Sequence, residues 1–131
     1  MILRTAECSC GGLKAVCSGE PVRVSVCHCL SCQRRTGSAF GYQLTFETSQ
    51  VEIEGAFFIF TRSSDEGYWA RFSFCPTCGS TIFYEIERRP GMISIPGGTF
   101  ADPGLPPPQF SIYEERRHSW CAIEAEGLVR D

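Results

Sequence analysis

Seven of the nine cysteines in this 131-residue chain fall into three closely spaced groups. The groups are Cys8 and Cys10, Cys27, Cys29 and Cys32, and Cys75 and Cys78, with the spacings CxC, CxCxxC and CxxC. Such spacings bring neighbouring sulfur atoms to one side of a turn, where they can ligate one metal ion. Metal ligation therefore constrains the fold strongly, because ligands from distant parts of the chain must meet at the ion.

The first and last groups each supply two thiols, and glycine follows each pair in the sequence. Glycine permits the tight turns that aim backbone N–H groups at the sulfur atoms. Together the pairs offer four thiolates, the number that a closed, tetrahedral structural zinc site uses. We predict one structural Zn²⁺ held by Cys8, Cys10, Cys75 and Cys78. Buried free thiols or a disulfide are the alternative.

The middle group offers three thiols and no adjoining fourth cysteine. Three protein ligands with one free position are typical of a catalytic zinc site. We therefore predict a second Zn²⁺ at Cys27, Cys29 and Cys32, open to a ligand. His28 can also close the tetrahedron, although its place between two ligating cysteines favours a side chain that points away.

The other two cysteines, Cys17 and Cys121, lack cluster spacing and are expected to be small apolar side chains. No charged leader followed by an apolar run opens the chain, which favours a reducing cytoplasm where thiols remain available to metals. No stretch reaches the roughly 18 apolar residues needed to cross a bilayer. The sequence predicts a soluble, cytoplasmic protein.

The length predicts a single domain over residues 1–131, with 43% hydrophobic and 21% charged residues. A formal net charge of -3 argues against a nucleic-acid partner, because phosphate binding usually needs a basic face.

Short runs of alternating or β-rich residues dominate the rest of the sequence and predict a mainly β fold. Such runs occupy 13–17, 22–26, 40–46, 51–53, 57–60, 68–74, 82–86, 92–95 and 110–113. Residues 33–36 favour a short helical turn, and the proline-rich segment 101–109 favours an extended surface connection. We predict mostly antiparallel strands, arranged as a sandwich or as a folded pair of sheets.

The cysteine groups also belong to longer motifs that follow one another in order. They read Cys8-Ser-Cys10-Gly11, Cys27-His-Cys29-Leu-Ser-Cys32-Gln-Arg34-Arg35-Thr36-Gly37-Ser38-Ala39-Phe40, Phe74-Cys75-Pro-Thr-Cys78-Gly79-Ser80, and Gly98-Thr99-Phe100-Ala-Asp102-Pro103. This series resembles the glutathione-dependent formaldehyde-activating enzyme (GFA) family, also called CENP-V/GFA-type domains. The last motif departs from the family only in Phe100, where leucine is usual.

The resemblance implies an Mss4-like β-tent of short antiparallel strands with zinc knuckles. It assigns the CxC and CxxC pairs to the structural zinc and the CxCxxC group to the catalytic zinc. It also implies a carbon–sulfur lyase that joins glutathione and formaldehyde to S-(hydroxymethyl)glutathione. The expected partners are then a small thiol and an aldehyde, and a homo-oligomer is compatible with this assignment.

Two arginines, Arg34 and Arg35, directly follow the CxCxxC group. Either guanidinium can pair with a substrate carboxylate or offset the charge of the thiolates. The alternative to an enzyme is a zinc-stabilised Mss4-like module that binds a protein without catalysis. The fourth ligand of the CxCxxC site separates the two, because a side chain such as Cys17, His28 or Cys121 there favours the binding module.

Overall fold

A computed structural model describes residues 1–64 and 66–131 of the chain. Its strands are β1 Leu3–Glu7, β2 Lys14–Ser18, β3 Arg23–Cys27, β4 Gly41–Glu47, β5 Val51–Glu54, β6 Phe58–Ser63, β7 Trp69–Phe74, β8 Thr81–Ile86, β9 Met92–Pro96, β10 Phe110–Ile112 and β11 Val129–Arg130. One α-helix, α1, spans Leu30–Thr36, and short 3-10 turns span Thr48–Gln50, Gly97–Phe100 and Glu114–Arg116. The prediction of a mainly β fold is confirmed.

Among these residues the strands form two sheets, with the orders β1-β2-β5 and β11-β10-β3-β4-β9-β8-β7-β6. Most neighbours are antiparallel, as predicted, but β10 runs parallel to both β3 and β11. The sequence did not predict β1, because only one of its five side chains is buried. The two-residue strand β11 is too short to carry a pattern.

Both sheets contribute side chains to one apolar core. Ala6 and Ala15 face it from the small sheet, and Leu44, Phe46 and Ile95 face it from the large one. Burial of each large apolar side chain in this core contributes about 2 kcal/mol to the stability of the fold.

Alternation of apolar residues over 40–46 predicts a half-buried strand, and this prediction is wrong, because β4 is buried on both faces. Leu44 and Phe46 face the core, whereas Gln43 and Thr45 lie on the opposite side and are 5% and 4% exposed. The Gln43 amide donates to Ser25 Oγ at 2.9 Å, and the Thr45 hydroxyl lies 2.8 Å from that of Ser94. Side chains therefore cover a polar face of the large sheet, and β3 carries Cys27 at one end of it.

Helix α1 begins three residues before the predicted turn. Cys29 caps it, because the Cys29 sulfur accepts a hydrogen bond from the Cys32 N–H at 3.3 Å. Gly37 ends the helix with φ at 67° and donates its N–H to the Gln33 carbonyl at 2.8 Å. Cys29, which precedes the helix, and Cys32, which lies within it, thus help to fix where the helix begins.

The proline-rich segment 101–109 contains no helix or strand, as predicted. It is fixed to the large sheet by the Tyr42 hydroxyl, which donates to the Pro106 carbonyl at 2.6 Å. Leu105 packs against the core. Among the described residues, no helix is long and apolar enough to cross a membrane.

Candidate metal centres

The first candidate centre joins the N-terminal CxC pair to the CxxC pair between β7 and β8. The sulfur atoms of Cys8, Cys10, Cys75 and Cys78 all lie within 4.8 Å of one another. Cys10 Sγ is 3.6 Å from both Cys8 Sγ and Cys75 Sγ, far beyond the roughly 2.05 Å of a disulfide bond. The structure therefore brings the four predicted ligands together as free thiols.

Backbone N–H groups point at these sulfur atoms, as expected for thiolates. The Leu13 N–H donates to Cys8 Sγ at 3.2 Å, and the Thr77 N–H donates to Cys75 Sγ at 3.4 Å. Hydrogen bonds from the Ser80 hydroxyl and N–H lower the pKa of Cys78 to about 5. Partly charged sulfur atoms this close repel one another unless a cation lies between them, so the group can bind a metal ion.

The second candidate centre lies where β3 meets α1. The sulfur atoms of Cys27, Cys29 and Cys32 also lie within 4.8 Å of one another, and Cys27 is 5% exposed while the other two are half-buried. Among the described residues, no further His, Cys, Asp or Glu ligand atom joins this group. The arrangement can therefore hold a metal ion on one side and leave room for an incoming ligand.

The three thiols share their protons unequally. Hydrogen bonds to Cys29 and Cys32, together with burial, raise the pKa of Cys27. The same kind of hydrogen bond, donated by Cys27 and Cys32, lowers the pKa of Cys29 to about 2. A divalent cation can replace these shared protons, because it stabilises all three thiolates at once.

The three alternative ligands for this centre lie elsewhere. Cys17 belongs to the apolar core, where burial raises the pKa of its thiol to about 12. Cys121 is buried outside both cysteine groups. His28 is fully buried, and its Nε2 lies 2.9 Å from Ser111 Oγ instead of joining the sulfur atoms.

His28 connects the loop that carries the second cysteine group to the C-terminal part of the chain. The His28 Nε2 lies 3.4 Å from Glu114 Oε2, and the His28 backbone N–H donates to the Ile112 carbonyl at 3.0 Å. The Ser111 hydroxyl donates to Glu114 and lowers the pKa of that carboxyl, whereas burial lowers the pKa of His28. Sequence reasoning missed Ser111 and Glu114, since nothing in their spacing links them to His28.

The two arginines after the CxCxxC group point in different directions. Arg34 is exposed, whereas Arg35 is half-buried and its guanidinium carbon lies 5.1 Å from the Tyr84 ring centre. A side chain added at Gly41 would meet Arg35 Nη2 at 3.3 Å, Gln43 Oε1 at 3.4 Å and the Cys32 Cβ at 3.5 Å. Arg35 and Gln43 therefore converge beside the second centre.

Two buried polar atoms at this convergence have no hydrogen-bond partner among the described residues. They are Arg35 Nε and Gln43 Oε1. Buried donors and acceptors are almost always paired in native proteins, so an unpaired donor and acceptor side by side indicate room for a polar ligand.

A second guanidinium, that of Arg62 on β6, completes the surroundings of the second centre. The guanidinium carbons of Arg35 and Arg62 each lie 5.2 Å from the ring centre of Phe72. Sequence reasoning missed Arg62 because its proximity to the cysteines depends on the strand order.

Tyr84, from β8, lies beside the same group. Burial raises the pKa of its hydroxyl, and the charges of Cys32 and Cys27 raise it further against the opposing effect of Arg35. The hydroxyl therefore remains protonated at neutral pH and can act as a hydrogen-bond donor. Two cations, a neutral phenol and an aromatic ring thus lie near the three-thiol group.

Comparison with known proteins identifies the family. The sequence model of the family described as "Glutathione-dependent formaldehyde-activating enzyme" matches residues 3–116. This chain belongs to that family. The GFA membership predicted from the three cysteine motifs is thereby confirmed.

A solved structure gives independent support for the fold. The crystal structure of a Rhodobacter sphaeroides protein, a structural genomics target, is similar to this chain with a TM-score of 0.59 and 19% identity, covering 79% of this chain and 91% of that chain. At that identity the likeness shows the fold alone. Among proteins with curated descriptions, none matches this chain. The single domain over residues 1–131 stays a prediction, because the family match ends at residue 116.

Proposed function

We propose that this GFA-family chain is a zinc-dependent carbon–sulfur lyase that joins or cleaves glutathione and formaldehyde or a related aldehyde. In the joining direction the thiol sulfur bonds to the carbonyl carbon, the C=O π electrons move to oxygen, and the thiol proton ends on that oxygen. Cleavage reverses each change. The observation that carries the proposal is a three-cysteine group with two unpaired buried polar atoms, from Arg35 and Gln43, beside Cys32.

The donor sets of both centres fit zinc, which favours thiolate ligands. Cys8, Cys10, Cys75 and Cys78 would hold the structural ion, and Cys27, Cys29 and Cys32 would hold the catalytic one. A zinc ion at the second centre would lower the pKa of a thiol that enters its free position, giving a thiolate at neutral pH. Free thiols at both sites require a reducing compartment, for which we propose the cytoplasm.

Arg35 and Arg62 would bind the carboxylates of glutathione. Both guanidiniums flank Phe72 beside the second centre, and Arg35 Nε has no partner among the described residues. A charged hydrogen bond to a carboxylate contributes about 1.5–3 kcal/mol, enough to set the affinity for a small thiol. Arg34 is exposed, so the proposal that it binds substrate has less support than that for Arg35.

Tyr84 would orient the aldehyde. Its protonated hydroxyl can donate to the carbonyl oxygen and stabilise the negative charge that develops there. Holding the thiol and the aldehyde at the correct distance and angle would contribute to the acceleration as well.

The test combines metal analysis with kinetics. Under reducing conditions the wild type should hold two zinc ions per chain, and Cys29→Ser should hold one. Exchange between free and glutathione-bound formaldehyde, followed by NMR, should be faster with the wild type than in buffer and unaccelerated by Cys29→Ser. A single zinc that survives the substitution, or a wild-type exchange rate equal to that in buffer, contradicts the proposal.

A matched pair of variants tests the substrate contacts. Arg35→Met should raise KM for glutathione about tenfold to a hundredfold, because it removes a charged contact, whereas exposed Arg34→Met should leave KM unchanged. A KM for glutathione that is unchanged in Arg35→Met, as in Arg34→Met, would contradict the placement of Arg35 in the binding site.

The second candidate function is a zinc-stabilised protein-binding module without catalysis. The observation that favours it is the exposure of consecutive apolar residues on β6, where Phe58, Ile59 and Phe60 are 61%, 55% and 59% exposed. A zinc-loaded protein that does not accelerate the exchange reaction, and whose second centre does not respond to glutathione, would favour this function.

A further inference from the structure

Strand β6 forms one edge of the large sheet among the described residues. Its first three residues, Phe58, Ile59 and Phe60, are more than half exposed. Phe58 and Phe60 point to one side of the sheet, and Ile59 points to the other, because side chains alternate along a strand. Neither face of this edge is therefore covered.

The edge has little of the protection that soluble proteins usually give to exposed strands. β6 has six residues, contains no proline, and keeps a regular register with β7 from Phe58 opposite Phe74 to Ser63 opposite Trp69. Only Arg62 carries a charge within it. The opposite edge, β11, has two residues, Val129 and Arg130. A long, regular, apolar edge is a site where another strand can pair.

We propose that β6 pairs antiparallel with β6 of a second copy of this chain, so that the large sheets of the two copies form one continuous sheet. A two-fold axis perpendicular to the sheet keeps equivalent faces on the same side. With Phe60 opposite the partner's Phe60, Arg62 lies opposite the partner's Phe58. This register avoids opposing the two arginines and allows a cation–π contact at each end.

The surface available at β6 suits such a pairing. A large aromatic side chain has a surface of roughly 150–250 Å². At this size the exposed apolar surface along the edge amounts to roughly 500 Å², contributed by Phe57, Phe58, Ile59, Phe60 and Tyr68. A stable interface buries about 800 Å² per partner, and the paired backbones with the flanking polar side chains can supply the difference. A second copy also meets the need of the edge backbone for hydrogen-bond partners.

The pairing would adjoin the second metal centre. Arg62 lies on the same side of β6 as Phe58 and Phe60, and its guanidinium flanks Phe72 beside the cysteine group. The partner's Phe58 would then limit the motion of the Arg62 side chain on the side that faces away from β7. The dimer proposal itself depends only on β6 and stands whether or not the chain is a lyase.

Analytical ultracentrifugation of the zinc-loaded, reduced protein tests the proposal. From low micromolar to near-millimolar concentration, the wild type should show a monomer–dimer equilibrium with no larger species. Phe60→Lys places like charges opposite each other across the axis and should weaken dimerisation about 100-fold or more. Val22→Lys, at a residue that is 49% exposed outside β6, is the matched control and should leave the dimer intact.

Charge reversal makes the test specific for a two-fold pairing. Phe60→Glu alone should also be monomeric, whereas an equal mixture of Phe60→Lys and Phe60→Glu should recover the dimer. Hydrogen exchange of the wild type gives a reading without any variant, because protection of β6 amides should rise with protein concentration. A wild type that stays monomeric, a dimer that persists in Phe60→Lys, or β6 amides unprotected in the dimer would each overturn the proposal.

Discussion

Gly55 gives the sharpest prediction about how the fold supports the first metal centre. Its φ is +105°, and a Cβ built there would lie 1.9 Å from the Gly12 carbonyl oxygen and 3.1 Å from the Leu13 Cα. Gly12 directly precedes Leu13, whose N–H donates to Cys8 Sγ. Gly55→Ala should therefore displace the turn that carries the CxC pair.

Two costs add at this position. A positive φ of this size strains any residue other than glycine by about 1–3 kcal/mol. The clash involves backbone atoms that cannot rotate away, and overpacking of this kind costs about 1–3 kcal/mol more. We expect a loss of about 2–6 kcal/mol in the free energy of unfolding, and a fall in Tm of about 8–25 °C.

Gly91→Ala is the matched control, because Gly91 has a φ of +77° but no atom within 4 Å of its built Cβ. It should cost about 1–2 kcal/mol through backbone strain alone. Both variants would be unfolded with urea at a fixed free zinc concentration, and zinc loss to a coloured chelator would be followed in parallel. Faster release of one zinc ion from Gly55→Ala alone is expected. Equal stabilities for the two variants, or equal rates of zinc release, would refute the reasoning.

Three further measurements address other parts of the chain. Glu114→Gln should cost about 1–3 kcal/mol in urea unfolding, because it weakens bonds to Ser111 and Arg117, whereas exposed Glu115→Gln should stay within about 0.5 kcal/mol. The pKa of the Glu114 carboxyl is lowered in the folded state. Its contribution to the free energy of unfolding should therefore be complete above about pH 4.5 and disappear as the pH falls through the folded-state pKa. Unfolding at several pH values should show the stabilities of the wild type and Glu114→Gln converge in acid. Chelation of zinc under reducing conditions should lower Tm by about 10 °C or more, and added zinc should restore it, as followed by circular dichroism.

The cysteine groups could be predicted because their information is local. Cys27, Cys29 and Cys32 lie within six residues, so one turn of the chain is enough to bring the three sulfur atoms close together. The prediction of the first centre needed one more assumption, namely that two cysteine pairs far apart in the sequence bind the same ion. The order of the family motifs supplied the same division of ligands, and the fold brings both sets together.

The surroundings of the second centre could not be predicted, because they depend on which strands are neighbours. Arg62 and Phe72 reach Arg35 only because β6, β7 and β8 lie side by side in the large sheet. Alternation in the sequence shows which residues share a face of one strand, but not which strand comes next. The same limit explains the error for β4, where alternation predicted a solvent-exposed face that other side chains cover.

His28 shows why a three-cysteine centre can remain open. A histidine between two ligands could close the tetrahedron, but its imidazole is held 2.9 Å from Ser111 on the other side of the loop. Gln33 fixes the loop as well, because its amide donates to the His28 carbonyl at 2.8 Å and to the Arg116 carbonyl at 3.1 Å. These contacts join the Nε2 side of the His28 ring and the loop backbone to the C-terminal segment, whereas His28 Nδ1 has no hydrogen-bond partner among the described residues. Hydrogen bonds that a sequence motif does not reveal therefore hold His28 Nε2 at Ser111, and His28 does not join the three sulfur atoms.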